Sequence, residues 1–324
     1  MSLAQFGLGF LGGRYFRRSD AVTLASGENT LLSAVTDGVH GYFGTLTSPG
    51  RVVKVRLSDM ARISAVTLAS GENELGAAVT DGVHGYFGTR TFPGRVVKVR
   101  LSDMARISAV TLASGEDALQ SATTDGVHGY FGTGTSPGRV VKVRLSDMTR
   151  IGAVTLASGE NNLISAVTDG VHGYFGTFTS PGRVVKVRLS DMTRIGAVAL
   201  TQSGEGFLTS AVTDGVHGYF GTLTSPARVV KVRLSDMTRI SAVTLASGEN
   251  ALFSAATDGV DGYFGTNTSP GRVVKVRLSD MARISAVTLA SGENGLSSAV
   301  TDGVHGYFST TTAPGRVVKV DFGN

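Results

Sequence analysis

The string TDGVHGYFGT returns with little change from Thr36, Thr80, Thr124, Thr168, Thr213, Thr257 and Thr301, so the chain holds seven copies of one unit. The spacing is 44 residues except from Thr168 to Thr213, where AVALTQSGEGF replaces AVTLASGENN and one residue is inserted between Leu200 and Gly204. That insertion belongs in a loop. Within a copy, four short apolar or alternating segments, LSAVTD, GYFGT, RVVKVRL and RISAVTL, are separated by turn signals. Asp37-Gly38 and Gly41 punctuate the first junction, Ser48-Pro49-Gly50 the second and Ser58-Asp59-Met60 the third, while Ser26-Gly27-Glu28-Asn29 separates copies.

Four strands in a period of about 44 residues predict a blade of a β-propeller, in which each sheet buries its faces against its neighbours around a central axis. The expected fold is therefore all-β: a seven-bladed β-propeller with four antiparallel strands per blade. The chain ends predict how the ring closes. The last copy stops at RVVKVDFGN, after its third strand, while the first begins with RRSDAVTL, which matches the fourth strand of every other copy. One N-terminal strand at residues 19–24 then completes a blade begun by three C-terminal strands, and closure removes the sheet edges that would recruit other chains. The expected organisation is a single propeller over residues 19–324, preceded by residues 1–18 as an arm or expression remnant outside the repeats.

The order VVKVRL, SDMTRIGAVTL, Gly, SAVTDG, GYFGT resembles the YVTN class of propeller repeats, which is related in style to NHL blades. GYFGT stands where that class has its Tyr-Val-Thr-Asn stretch, and the Pro usual after the interblade Gly is missing. The resemblance implies a surface or extracellular binding scaffold. WD40 repeats are disfavoured by the absence of any Trp-Asp, and kelch repeats by the absence of Trp and of a Gly-Gly pair within the repeats.

Composition narrows the function classes. With no Cys, disulfides, thiolate metal sites and thiol nucleophiles are excluded together. No apolar run reaches the roughly 18 residues of a membrane helix, so membrane insertion is not expected. The opening MSLAQFGLGFLGGRYFRR carries its positive charges after a short Gly-rich apolar stretch, unlike a signal peptide, and the compartment stays open between cytoplasm and bacterial surface. The net charge of +5 is spread around the copies: Arg51, Lys54, Arg56 and Arg62 stand against Glu28, Asp37 and Asp59. Arg51, Lys54 and Arg56 read as a solvated, salt-bridged outer face, so no nucleic acid is expected.

Candidate contact residues lie where matching copies disagree, in three columns. The first holds Thr30, Glu74, Ala118, Asn162, Phe207, Ala251 and Gly295; the second Leu32, Gly76, Gln120, Ile164, Thr209, Phe253 and Ser297; the third Leu46, Arg90, Gly134, Phe178, Leu223, Asn267 and Thr311. Strand alternation puts all three on the end of the ring opposite the constant DGVHG and SDM turns, around the channel mouth. A close-packed core would not accept Phe, Arg and Gly at equivalent places, so these positions are expected to face solvent at least in part. Drift of exposed loops and diversification of a recognition face both produce such columns; drift should also touch other exposed sites such as Ser48, Asp59 and Arg62, and the constancy of Arg62 in its five counterparts favours diversification.

Other recurring groups read as structural. His40, His84, His128, His172, His217 and His305, with Asp261 in the remaining place, are too spread for one metal ion and are expected to bond nearby backbone. Asp37, Asp59 and Glu28 recur too regularly for one asymmetric catalytic pair, and read as turn acceptors. No Gly-x-Ser-x-Gly elbow is present. Tyr42 and Phe43 are expected in the interblade core. No cofactor, metal or catalytic residue is predicted. The expected function is a monomeric, non-enzymatic binding scaffold contacting a protein or glycan through Leu32, Leu46, Glu74, Arg90, Gln120, Ile164, Phe178, Phe207, Leu223, Phe253 and Asn267. The alternative is a purely structural or assembly module, surface-layer-like or consensus-built.

Overall fold

The computed structural model describes residues 15–323. Over these the chain forms strands β1 to β28, arranged as seven four-stranded antiparallel sheets, and no described helix is long and apolar enough to cross a membrane. In the first blade β2 (Leu31–Thr36), β3 (His40–Thr45), β4 (Arg51–Arg56) and β5 (Arg62–Thr67) lie in sequence order. The innermost strands β2, β6 (Leu75–Thr80), β10 (Leu119–Thr124), β14 (Leu163–Thr168), β18 (Leu208–Thr213), β22 (Leu252–Thr257) and β26 (Leu296–Thr301) touch one another in turn, and β26 touches β2. The ring is closed.

Side-chain alternation explains why blades stack. Successive residues of β3 point to opposite faces: Tyr42 packs with Leu75, Phe87 and Val97 of the following blade, and Phe43 with Val300, Tyr307 and Val317 of the preceding one. Each such ring is fully buried, worth about 1.5–3 kcal/mol apiece by area. Gly44 lets the sheets approach: a Cβ there would lie 2.7 Å from Leu75 Cβ. The seventh blade departs, placing Ser309 at this position, whose hydroxyl donates to the Leu31 carbonyl of the first blade at 2.9 Å.

The seventh sheet runs β26, β27 (His305–Thr310), β28 (Arg316–Asp321) and β1 (Arg17–Thr23), so one N-terminal strand does complete three C-terminal ones. Strand β1 begins at Arg17, ahead of the expected boundary at residue 19, and pairs from Arg17 with Asp321 to Thr23 with Arg316. The reading of residues 1–14 as an arm lies outside the described residues.

Three expectations about charged groups are corrected. Lys54 is not on a solvated face: it is 7% exposed and its Nζ donates across the blade boundary to the Leu101 carbonyl at 2.8 Å, over the Tyr42 ring. A β4 lysine is long enough to cross the interface, and the same staple recurs through to Lys319, which reaches Leu57 and joins the last blade to the first.

Second, Arg62 is not a free surface residue. It clamps Glu28, a carboxylate with a side chain only 1% exposed, through Nε at 2.8 Å and through Nη2. The equivalent Glu72 anchors two blades at once: its carbonyl accepts from Gly50 of the first blade and its side chain from Arg106 of the second. Constancy of Arg62 therefore reflects a structural partner, and the Ser48 column, free of such a partner, does vary, to Phe92 and Ala313. The comparison that favoured diversification over drift is removed. Third, the His rings face carboxylate, not backbone. Nδ1 of His84 lies 3.4 Å from Asp81 and that of His305 lies 2.9 Å from Asp302, while Asp261 instead pairs with Lys275 at 3.1 Å.

Candidate functional site

The axial mouth is built from one backbone irregularity repeated seven times. In each blade the pairing of the first two strands slips once: Leu31 faces Thr45 and Ser33 faces Gly44, leaving Leu32 unpaired between them. The same slip falls at Gly76, Gln120, Ile164, Thr209, Phe253 and Ser297. The second variable column is thus a ring of β-bulge residues, and a bulge re-aims its side chain out of the pleat. All seven line a cavity of about 420 Å³ at the channel mouth, together with Arg90, Asn162 and Phe178. Below it the Ser and Ala pairs of the inner strands line a narrower axial space of about 170 Å³.

The first column has its own constraint. Every member adopts a left-handed backbone, with φ of 48° at Thr30, 55° at Glu74, 50° at Ala118, 50° at Asn162, 54° at Phe207, 55° at Ala251 and 59° at Gly295. Gly and Asn tolerate this region, whereas a β-branched or bulky residue there is strained. The backbone explains why: the N–H of each first-column residue donates to a Thr carbonyl of the preceding blade, as Glu74 does to Thr47 at 3.0 Å. Its own carbonyl accepts the N–H of the third column, as from Arg90 at 2.8 Å. First and third columns are thereby locked side by side around the rim.

Second and third columns are matched in size. The Arg90 side chain fills the space over Gly76, where a Cβ would lie 2.7 Å from Arg90 Cγ, and the Gln120 amide occupies the place above Gly134. Phe178 stands beside Ile164 on the cavity wall, and its ring meets that of Phe207 from the next blade at 4.9 Å. Such tilted aromatic pairs gain energy beyond their buried area.

The structure brings Leu32, Arg90, Gln120, Ile164, Phe178 and Phe253 together as cavity lining. Phe207 joins them through Phe178, while Leu46, Glu74, Leu223 and Asn267 belong to the rim and do not line the cavity. Most of the twenty-one positions keep partial exposure, as expected, but Ala118, Thr209 and Gly295 are buried. At Thr209 the cause is a hydrogen bond: its hydroxyl donates to the Leu252 carbonyl of the next blade. Gly76, Asn162, Thr209 and Ser297 also line the cavity and were missing from the expected contact set; their place in the variable columns was the available signal. Among the described residues Arg90 is the single charged side chain lining the cavity, whose other lining side chains are apolar, amide or hydroxyl.

At the opposite end of the ring the carboxylates are occupied by structure. Asp37 accepts from the Val39 and His40 N–H groups and from the Tyr42 hydroxyl at 2.7 Å. Burial pushes its carboxyl up, but these donors outweigh it and hold it below the ordinary range; at Asp125 the same balance brings it to about 2. The exposed Arg56 guanidinium, with the Ala61 N–H, holds Asp59 at about 2. Among the described residues no cluster of three or more His, Asp or Glu side chains is arranged to hold a metal ion.

A family described as a repeat of unknown function, DUF1174, matches residues 20–37, 108–125 and 152–169. These stretches run from the fourth strand of one blade into the first strand of the next. No curated protein matches the sequence. Among solved structures, Kuenenia stuttgartiensis hydrazine synthase is similar in fold, with a TM-score of 0.75 at 14% identity, over 92% of this chain and 96% of that one. A likeness at that identity concerns architecture alone, and the chain is a repeat-built seven-bladed propeller.

Proposed function

We propose that the ring is a recognition scaffold whose variable end contacts a protein or glycan at the axial mouth, and that it carries out no chemistry of its own. Propellers serve in general as binding or scaffolding platforms, and the repeats are read here as YVTN-like. The observation that carries the proposal is the occupancy of the first column. At a left-handed position drift should settle on Gly or Asn, the residues free of strain. Thr30, Glu74, Ala118, Phe207 and Ala251 stand there instead, at a cost of order 1–3 kcal/mol each, and at Glu74 and Phe207 a large side chain is kept on the rim in spite of it, which argues for a contact role at those two. Apolar groups at a concave mouth, with a few polar ones among them, are the composition of a ligand site. The carboxylates that recur in every blade are tied up in clamps and turns, which supports a non-enzymatic reading.

The test compares the parent with a variant in which Leu32, Ile164, Phe178 and Phe253 are all Ser, by pull-down and glycan array, after both are shown to fold. A ligand held by the parent and lost by the variant supports the proposal. If both bind alike, or the parent captures nothing, the ring is a structural module and its columns are drift.

A further inference from the structure

The one place where the sequence breaks its own repeat also breaks the sevenfold symmetry of the variable end. The inserted residue lengthens the loop from Thr201 to Phe207, and Gly206 stands where the other copies have Asn29, Asn73, Asp117, Asn161, Asn250 and Asn294. Beside this loop lies a lateral pocket of about 490 Å³, between the fourth and fifth blades. Gly206 keeps it open, since a Cβ there would press on Ser180 Oγ at 3.2 Å. Phe207 lines the pocket and meets Phe178, which lines the axial mouth, in a tilted ring pair. The two cavities therefore share an aromatic wall.

The pocket has a definite chemistry. Ser180, Thr201, Gln202, Ser203 and Thr224 give it hydroxyl and amide groups, donors and acceptors without charge. Its acid, Glu205, has a fully buried side chain clamped by Arg239 and faced by Arg228 at 3.7 Å, so it offers neither a free anion nor an attraction for cations. An aromatic face bordered by neutral hydrogen-bonding groups suits a pyranose ring, which has one apolar face and a rim of hydroxyls. Among the described residues no Lys or Arg lines the pocket, and Arg228, which runs beside Gly204, faces Glu205, so phosphate, sulfate or uronate groups meet no free cation there.

We infer that the insertion forms a subsite for a neutral oligosaccharide, which crosses the Phe207–Phe178 pair so that one sugar occupies the lateral pocket and the next the axial mouth. This rests on the reading of the variable end as a recognition face. Gln202, the inserted residue, is the specificity-determining group, and Phe207 holds its left-handed conformation at φ 54° because it supplies the platform.

The experiment uses neutral malto-, cello- and chito-oligosaccharides, screened on an array and then titrated calorimetrically against the full chain and three variants. The first variant replaces residues 201–207 with ASGENN from the fourth blade, a loop already proven in this ring. The second is Phe207→Asn, which suits the left-handed backbone, and the third is Phe178→Ser at the axial wall. The expected result is that the loop graft and Phe207→Asn each lose about tenfold or more in affinity for longer oligosaccharides, a factor of about 1.4 kcal/mol. Disaccharide binding should persist in the graft and fall in Phe178→Ser. Unchanged binding of long chains by the graft, with loss in Phe178→Ser, overturns the lateral subsite and leaves the recognition face standing. A parent that binds no neutral glycan, or only anionic ones, overturns this inference; if it also captures no protein, the recognition reading falls with it.

Discussion

At the scale of single residues, the ring is held by polar groups that reach across blade boundaries. Tyr130 shows the pattern: its hydroxyl donates to Asp125 at 2.7 Å, and Lys142 lies over its ring and donates to the Leu189 carbonyl of the next blade. A tyrosine has one proton to give, so the 3.2 Å approach of the same hydroxyl to Leu189 is secondary. Burial works against the Asp125 charge, but Tyr130 and the His128 and Val127 N–H groups prevail and bring its carboxyl to about 2, as also at Asp214 and Asp302. The unfolded chain titrates these groups at about 3.9. Their stabilisation is therefore complete above about pH 4 and disappears as the pH falls toward 2. Tyr130→Phe should lower the thermal midpoint by a few degrees at neutral pH, for about 1–2 kcal/mol from one charge-assisted hydrogen bond. It should also flatten the dependence of the midpoint on pH between about 4 and 2. Parallel curves for parent and variant would show that the phenol does not set the Asp125 titration.

At the scale of elements, the loop joining one blade to the next is a clamp rather than a tether. Glu160 accepts both Arg194 bonds and the Ala157 N–H, and its own carbonyl accepts the Gly138 N–H of the preceding blade. Removing one partner of a fully buried ion pair costs about 3–5 kcal/mol. Arg194 keeps 32% of its side-chain surface in solvent, so solvent screens part of that and the expected cost of Glu160→Gln is about 1–3 kcal/mol. Hydrogen exchange should report it locally, as lost protection in the strands on either side of the loop and little change across the ring. Uniform loss would show instead that the blades open together.

How far these elements could be read from sequence depends on where each partner lies. Strand order and closure were legible because turn residues and alternation recur at one period, and the matching fourth strand stands at the opposite end of the chain. The variable columns were legible as disagreement among copies. The bulge at Leu32 and the left-handed backbone at Phe207 were not, because neither position carries the Gly or Asn that normally marks such geometry. Lys54 misled because its partner is a backbone carbonyl 47 residues away, which leaves no side-chain trace, and because Lys in an alternating strand reads as solvent-facing. Gln202 announced an asymmetry, but the pocket beside it depends on Ser180 of the preceding blade, which looks like any other copy.

At the scale of the whole molecule, closure decides whether the ring survives as one body. Each blade buries both faces only because it has two neighbours, and the seventh sheet has its fourth strand only because β1 returns to β28. Arg18 adds the corresponding clamp to Glu293 at 2.8 Å, and Phe16 packs toward Tyr263 of the sixth blade, with ring centroids 5.8 Å apart. A chain beginning at residue 24 would leave β28 with an unpaired edge and Glu293 as a buried carboxylate without its guanidinium. Exposed edges pair with other chains, and an unpaired buried charge costs several kcal/mol. The truncated chain is therefore expected to self-associate in size-exclusion chromatography with light scattering, and to unfold at a distinctly lower temperature than the parent. A synthetic peptide of residues 15–24 supplied in excess should bind that edge, restore the smaller species and raise the unfolding temperature with concentration, as mass action requires. A truncated chain that keeps the parent's size and unfolding temperature would mean that the six internally complete blades hold the ring without its last strand.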